Sequence, residues 1–152
     1  MNIEQYSLQT DSSHLSYKFE SVGPRGIIKK LVSFRKINLL KGNYYNLSFG
    51  DWDQINGVLN DLVISNNNDT SKVLFTVYHT VLQFLDYHPD AKIFITGSTK
   101  SRTRLYQMTI SQNIKEITSQ FEIKGLRNKN WEDFRVGINY EAFHVKMKKG
   151  KL

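Results

Sequence analysis

Between Thr70 and Tyr87 the apolar residues Val73, Leu74, Val77, Tyr78, Val81, Leu82 and Leu85 recur at helical spacing and form one broad stripe. A helix carrying such a stripe must lie against a second apolar surface. Several N-cap residues precede it in Ser65-Asn66-Asn67-Asn68-Asp69, and Tyr87-His88-Pro89-Asp90 ends it, because the residue before proline avoids helical angles. The surface it needs is predicted from the segments before it. Leu15-Ser16-Tyr17-Lys18-Phe19-Glu20 alternates, placing Leu15, Tyr17 and Phe19 on one face of a strand. Gly23-Pro24-Arg25-Gly26 is a turn, and a second strand from Ile27 to Ile37 returns with Ile28, Val32 and Phe34 inward. Lys29, Ser33 and Arg35 then face outward and give a basic strand face. A further turn at Leu40-Lys41-Gly42-Asn43 leads to a third strand, Tyr44 to Phe49, completing an antiparallel meander. Gly50-Asp51-Trp52-Asp53 ends that strand, and a loop-rich stretch with a short strand at Val58 to Ile64 follows.

Beyond the first helix, Lys92 to Thr96 reads as a short interior strand. A second helix runs from Thr99 or Ser101 to Ile117 or Thr118, with Tyr106, Ile110, Ile114 and Ile117 buried. Phe121 and Ile123 indicate another strand, and Leu126 to Gly137 is read as a charged loop anchored by Trp131 and Phe134. Last, Phe143, Val145 and Met147 alternate with His144, Lys146 and Lys148, a strand apolar on one face and basic on the other. The order β-β-β-α-β-α-β-β defines an α+β fold with two long helices packed on a mainly antiparallel sheet. The 152 residues fit one domain, 1–152, with 1–14 and 149–152 loosely held.

Composition narrows the chemistry. The absence of cysteine excludes disulfides, iron–sulfur clusters and cysteine nucleophiles. The start lacks a basic stretch followed by an apolar run, and no apolar run approaches the roughly 20 residues a bilayer span needs. A cytoplasmic protein with no membrane partner is expected. Net charge is +7, and its distribution is uneven. Residues 25–42 hold Arg25, Lys29, Lys30, Arg35, Lys36 and Lys41 with no acid, whereas 43–71 hold Asp51, Asp53, Asp61 and Asp69 with no base. Lys92, Lys100, Arg102 and Arg104 form a second basic block, and Lys146, Lys148, Lys149 and Lys151 a third. Blocks of this kind suit RNA, DNA or another phosphate-bearing partner, or an acidic protein that covers them.

The segment most like a binding site runs from Gly97 to Arg104. A strand breaks at Gly97, passes through Ser98 and Thr99, and enters a helix carrying Lys100, Arg102 and Arg104. Unpaired amides and the positive end of the dipole at a helix start favour an anion there. The spacing is neither that of a nucleotide phosphate loop nor that of a dinucleotide fingerprint. Arg102 and Arg104 diverge by about 200° around an ideal helix. Arg102 therefore flanks the core, where Asp51 or Asp53 could pair with it, and Arg104 faces a ligand. Arg25, Lys29 and Arg35 would extend a phosphate track. Asp51, Asp53 and Asp61 could together hold magnesium, which prefers oxygen ligands, or could simply form turns and ion pairs. No other metal and no cofactor is implied. Among the histidines, His79 is read as solvated, His88 as a helix-end residue and His14 as part of the loose start. His144, beside Lys146 on a polar strand face, is left for proton transfer, with Tyr106 as the other candidate. Tyr44, Tyr45, Trp52, Trp131 and Tyr140 lie near turns and basic blocks, and an exposed aromatic pair beside the basic strands would favour RNA.

Taken together, YKFESVGPRGIIKKLVSF, YNLSFGDWD, SNNND, VLFTVYHTV and ITGSTKSRTRLYQMTI resemble a domain-of-unknown-function family of small bacterial proteins, mainly from Bacteroidota. The resemblance covers about Tyr17 to Val145 and implies a stand-alone bacterial protein, with no catalytic residues to carry over. Two functions are compatible with these readings. One is a basic protein directed at phosphate or nucleic acid, such as the effector of a toxin–antitoxin or phage-defence pair, acting as a metal-independent ribonuclease if it is an enzyme. The other is a non-catalytic interaction module that docks an acidic protein partner.

Overall fold

The structure is a computed structural model, described here for residues 4–38, 41–53, 58–60 and 66–148. The chain gathers into two compact units: Met1–Arg35 with Ser48–Tyr87, and Lys36–Leu47 with His88–Leu152.

In the first unit β1 (Gln9–Thr10), β2 (Ser16–Gly23), β3 (Gly26–Lys36) and the part of β4 (Tyr44–Asp53) from Ser48 onward lie side by side, and β5 (Val58–Asn60) also pairs with β4. Strands β2 and β3 form a hairpin closed at Gly23↔Gly26, with Tyr17 opposite Val32 and Phe19 opposite Lys30. Alternation sends Tyr17, Phe19, Val32, Phe34 and Phe49 into the core. Helix α1 (Thr70–Tyr87) buries Val73, Val77, Val81, Phe84 and Leu85, and Phe84 stacks on Phe34 at 4.2 Å. The stripe read from the sequence is thus the buried one, although Phe84, Thr76 and Thr80 join it while Leu74 and Leu82 stay half-buried.

Three features of this unit differ from the expectation. Strand β4 continues through Asp53 instead of ending at Gly50, which places Asp51 and Trp52 on opposite faces of a strand. The N-terminal segment is tied down at Tyr6 and at β1. Tyr6 stacks on Phe19, its hydroxyl donates to Asp69 Oδ2 at 2.5 Å, and β1 pairs with β2. The same carboxylate accepts from Ser21 Oγ, while Asn67 Nδ2 donates to Ser21 Oγ and to the Gly26 carbonyl. This polar clasp holds the hairpin turn against the start of α1. Gly23 must be a glycine there, because a Cβ would collide with Asn67. The third difference is Lys30. The alternation that turns Val32 and Phe34 inward also turns Lys30 inward, where it is 1% exposed and pairs with Asp51 at 2.5 Å. A buried ammonium is tolerated only with such a partner.

In the second unit β6 (Lys92–Ile95) runs parallel to the first residues of β4 and antiparallel to β9 (Ala142–Met147). Strand β7 (Phe121–Arg127) lies between β9 and β8 (Asn130–Asp133), antiparallel to both. Ile93, Ile95, Phe121, Ile123, Phe143 and Val145 form the core with Tyr106, Ile110 and Ile117 from α2 (Lys100–Gln112) and α3 (Ile114–Gln120). The fold is therefore α+β with a mostly antiparallel sheet. The helix expected to run unbroken to Ile117 divides at Asn113, whose side chain donates to the Thr109 carbonyl and competes with the backbone ladder. The charged loop expected from Leu126 is instead a hairpin. Asn128 and Lys129 both adopt positive φ, 50° and 64°, the geometry of a two-residue turn between strands. Glu132 on β8 accepts from Arg127, Arg135 and the Tyr140 hydroxyl, which hold its carboxyl down at about 2. It clamps the hairpin to the segment that follows. The expectations for 39–40, 61–65 and 149–152 fall outside the described residues.

Replacing Asp51 with alanine takes the carboxylate from a buried lysine and should cost about 3 kcal/mol in urea unfolding. The double change Lys30→Met with Asp51→Leu should recover most of that loss. An Asp51→Ala midpoint equal to that of the unaltered protein would show that the pair does not hold the core.

Candidate functional site

The bend after β6 is shaped by its own hydrogen bonds. Thr99, extended at φ −136° and ψ 163°, caps α2 by accepting from the Arg102 amide at 3.2 Å. The Thr103 amide donates to the Thr99 carbonyl, and the Gly97 amide donates to Thr103 Oγ1 at 2.9 Å. Gly97 lies so close to the first turn that a Cβ would strike the Thr103 amide and Arg102. The Arg102 guanidinium folds back and donates to Ser98 Oγ. The Gly97, Arg102 and Thr103 amides and the Arg102 guanidinium are thus used within the bend. Ser98, Thr99, Lys100, Ser101 and Arg104 remain exposed, while Tyr106 is buried in the core of the unit. Arg104 enters no salt bridge among the described residues.

The other expected positions are scattered. Arg25 is exposed at the β2–β3 turn, Arg35 is exposed near the end of β3, and Lys29 is half-buried opposite Glu20. Asp51 is held by Lys30, Asp53 ends β4, and Asp61 lies outside the described residues. Among the described residues no cluster of three histidine or acidic side chains is placed to hold a metal ion.

The structure does bring one predicted residue, His144, into a cluster that the sequence reading did not assemble. On β6, β9, β7 and β8 the residues that alternate with the core face the other way. Register sets Lys92 opposite Lys146, which is opposite Glu122. The next row aligns Phe94, His144, Lys124 and Asp133, and Trp131 stands opposite Leu126. The rings touch: Trp131 lies 4.5 Å from His144, Phe94 lies 5.6 Å from His144 and 5.9 Å from Trp131, and Tyr44 lies 5.9 Å from Phe94. Lys92 places its ammonium over the Tyr44 ring at 5.5 Å. Trp131 is 40% exposed, so the cluster opens to solvent at the edge strand.

The charges on this face are unequal. Lys124 pairs with Asp133 at 2.7 Å and Lys146 with Glu122 at 3.3 Å, whereas Lys92 has no acidic partner among the described residues. Partial burial and the neighbouring Lys146 lower the Lys92 pKa. His144 is 7% exposed, and its Nδ1 is buried without a hydrogen-bond partner. Burial first, then Lys92, Lys124 and Lys146, depress the imidazole from 6.5 to about 4. It is neutral across the physiological range, which removes the titration near neutrality that a general acid or base needs.

Strand alternation already pointed to His144 and Lys146. Lys92 and Phe94 were hidden inside a strand read as interior, and Trp131 inside a presumed loop. The signal available was the same alternation applied to KIFI: Ile93 and Ile95 go to the core, so Lys92 and Phe94 cannot.

Because the folded imidazole refuses a proton that the unfolded chain accepts, His144 should reduce stability as pH falls from about 6.5 to about 4, with no further loss below. Melting temperatures of the protein and of His144→Phe, measured across that window, should diverge with pH. Parallel curves would mean that His144 titrates normally.

Among the described residues no helix is long and apolar enough to cross a membrane. Comparison with curated proteins finds no match, and comparison with solved structures finds none either. A family description does match, across residues 2–148 and so across both units: the chain belongs to the family of unknown function DUF6934.

Proposed function

We propose that this protein binds single-stranded nucleic acid on the open sheet face of its second unit. The observation that carries the reading is the cluster of Tyr44, Phe94, His144 and Trp131 beside Lys92, Lys124 and Lys146 on one strand surface. Rings offer sequence-tolerant stacking to unpaired bases, and cations track the backbone. An open sheet with aromatic side chains is also how one widespread class of RNA-binding domain holds two or three bases, an analogy of surface chemistry alone. The net charge of +7 favours a polyanion. Lys92 is the best phosphate contact, since among the described residues it forms no salt bridge, although Glu122 lies near enough to attract it. The neutral state of His144 and the burial of Tyr106 support binding without cleavage.

Fluorescence anisotropy with short unstructured oligonucleotides over a range of salt tests the proposal. Affinity should fall steeply with salt, by about 0.7 in log–log slope for each phosphate engaged. Trp131→Ala should weaken binding about tenfold or more, and Lys92→Ala should flatten the slope by about one contact. Arg104→Ala should change little. If Arg104→Ala and Lys100→Ala abolish binding while Trp131→Ala does not, the ligand sits at the helix start. A protein that ignores oligonucleotides but captures acidic peptides would be an interaction module instead.

A further inference from the structure

The imidazole at the centre of this face presents a buried nitrogen that nothing in the protein satisfies. His144 is 7% exposed, and Nδ1 reaches neither a donor nor an acceptor. Buried polar atoms are almost always paired, and the exceptions call for an unseen partner or a functional reason. Its neighbours are rings, with Trp131 at 4.5 Å and an interplanar angle of 50°, and Phe94 at 5.6 Å and 72°. Neither is a parallel stack. Trp131 belongs to a four-residue edge strand that, among the described residues, pairs only with β7, and it is already 40% exposed. Swinging its ring away from His144 breaks no hydrogen bond of the ladder, because strand pairing is a backbone matter.

We infer that His144 reads the edge of an unpaired base that takes the place of the Trp131 ring, with Nδ1 accepting a hydrogen bond from an N–H of that base. Two observations favour an acceptor at this position. An orphaned buried N–H is the rarer kind of exception, so the ring proton belongs on the other nitrogen. Lys92, Lys124 and Lys146 lie around the ring and outweigh the opposing Glu122, which favours a lone pair over a second N–H dipole. The displaced Trp131 then covers the outer face of the base, and Phe94 offers it an aromatic wall. The ligand is a single strand carrying bases, recognised through one of them, rather than a backbone held by charge alone. This inference rests on the nucleic-acid reading above and assigns the residue within that site that distinguishes a base from its absence.

The experiment compares a short oligouridylate with an abasic oligomer of equal phosphate number at matched salt. The protein should prefer the base-bearing strand by about tenfold or more. In a Trp52→Phe background, which leaves Trp131 as the remaining tryptophan, binding of that strand but not of the abasic one should shift the emission. His144→Phe keeps a ring and removes the acceptor. It should reduce the base preference about fivefold. His144→Gln restores an acceptor and should recover part of the preference. Equal affinity of the unaltered protein for the two oligomers, with a normal salt slope, overturns base reading and leaves the nucleic-acid reading standing. A full preference in His144→Phe also overturns it. Binding of neither oligomer overturns both.

Discussion

Each residue of the open face occupies its position because its chain neighbour is needed in the core. Phe94 lies between Ile93 and Ile95, His144 between Phe143 and Val145, and Lys124 between Ile123 and the close-packed Gly125. A strand sends successive side chains to opposite faces, so burying one set under apolar cover necessarily displays the other. Register then decides which displayed residues meet. Pairing of β6, β9 and β7 puts Phe94, His144 and Lys124 in one row, and the β7–β8 hairpin brings Trp131 alongside. The candidate interface is a by-product of core packing plus strand order.

Polar groups inside the protein are handled in two ways. In the first unit most are matched: Lys30 has Asp51, and the Ser21, Asn67, Asp69 and Tyr6 groups satisfy one another around the hairpin turn, while the buried Tyr17 hydroxyl has no hydrogen-bond partner among the described residues. Such groups constrain one geometry, since any other leaves a buried charge or amide unpaired. In the second unit His144 Nδ1 is left over. What sets His144 Nδ1 apart from the Tyr17 hydroxyl is its place among rings, beside the exposed Trp131 of an edge strand.

The bend at Gly97 shows how a plausible anion cradle becomes a structural element. Its residue types suit phosphate, but the Gly97 and Arg102 amides and the Arg102 guanidinium donate to hydroxyl oxygens within the bend. N-capping by threonine and anion binding use the same orphan amides. Residue type alone does not separate the two. The geometry shows Thr99 and Thr103 engaged within the bend, leaving Lys100 and Arg104 as surface charge.

Local pattern was enough to read the α+β class, the hairpin at Pro24-Arg25, helix α1 and the two-faced last strand, because each depends on spacing within a few residues. It was also enough to place Lys30 inward, had the alternation of β3 been applied to every position. The break at Asn113 and the turn at Asn128-Lys129 were harder, since neither carries the glycine that usually marks a left-handed or turn position. Which strands would be neighbours could not be read locally at all. Phe94, His144 and Trp131 are far apart in the chain and carry no shared motif. They meet because hydrogen-bond registers of separate strands are chosen by the packing of the whole sheet. From its residues alone the chain determined a basic α+β protein with His144 on a polar strand face; only the tertiary structure decided that this face is aromatic, because adjacency across strands is set by long-range pairing.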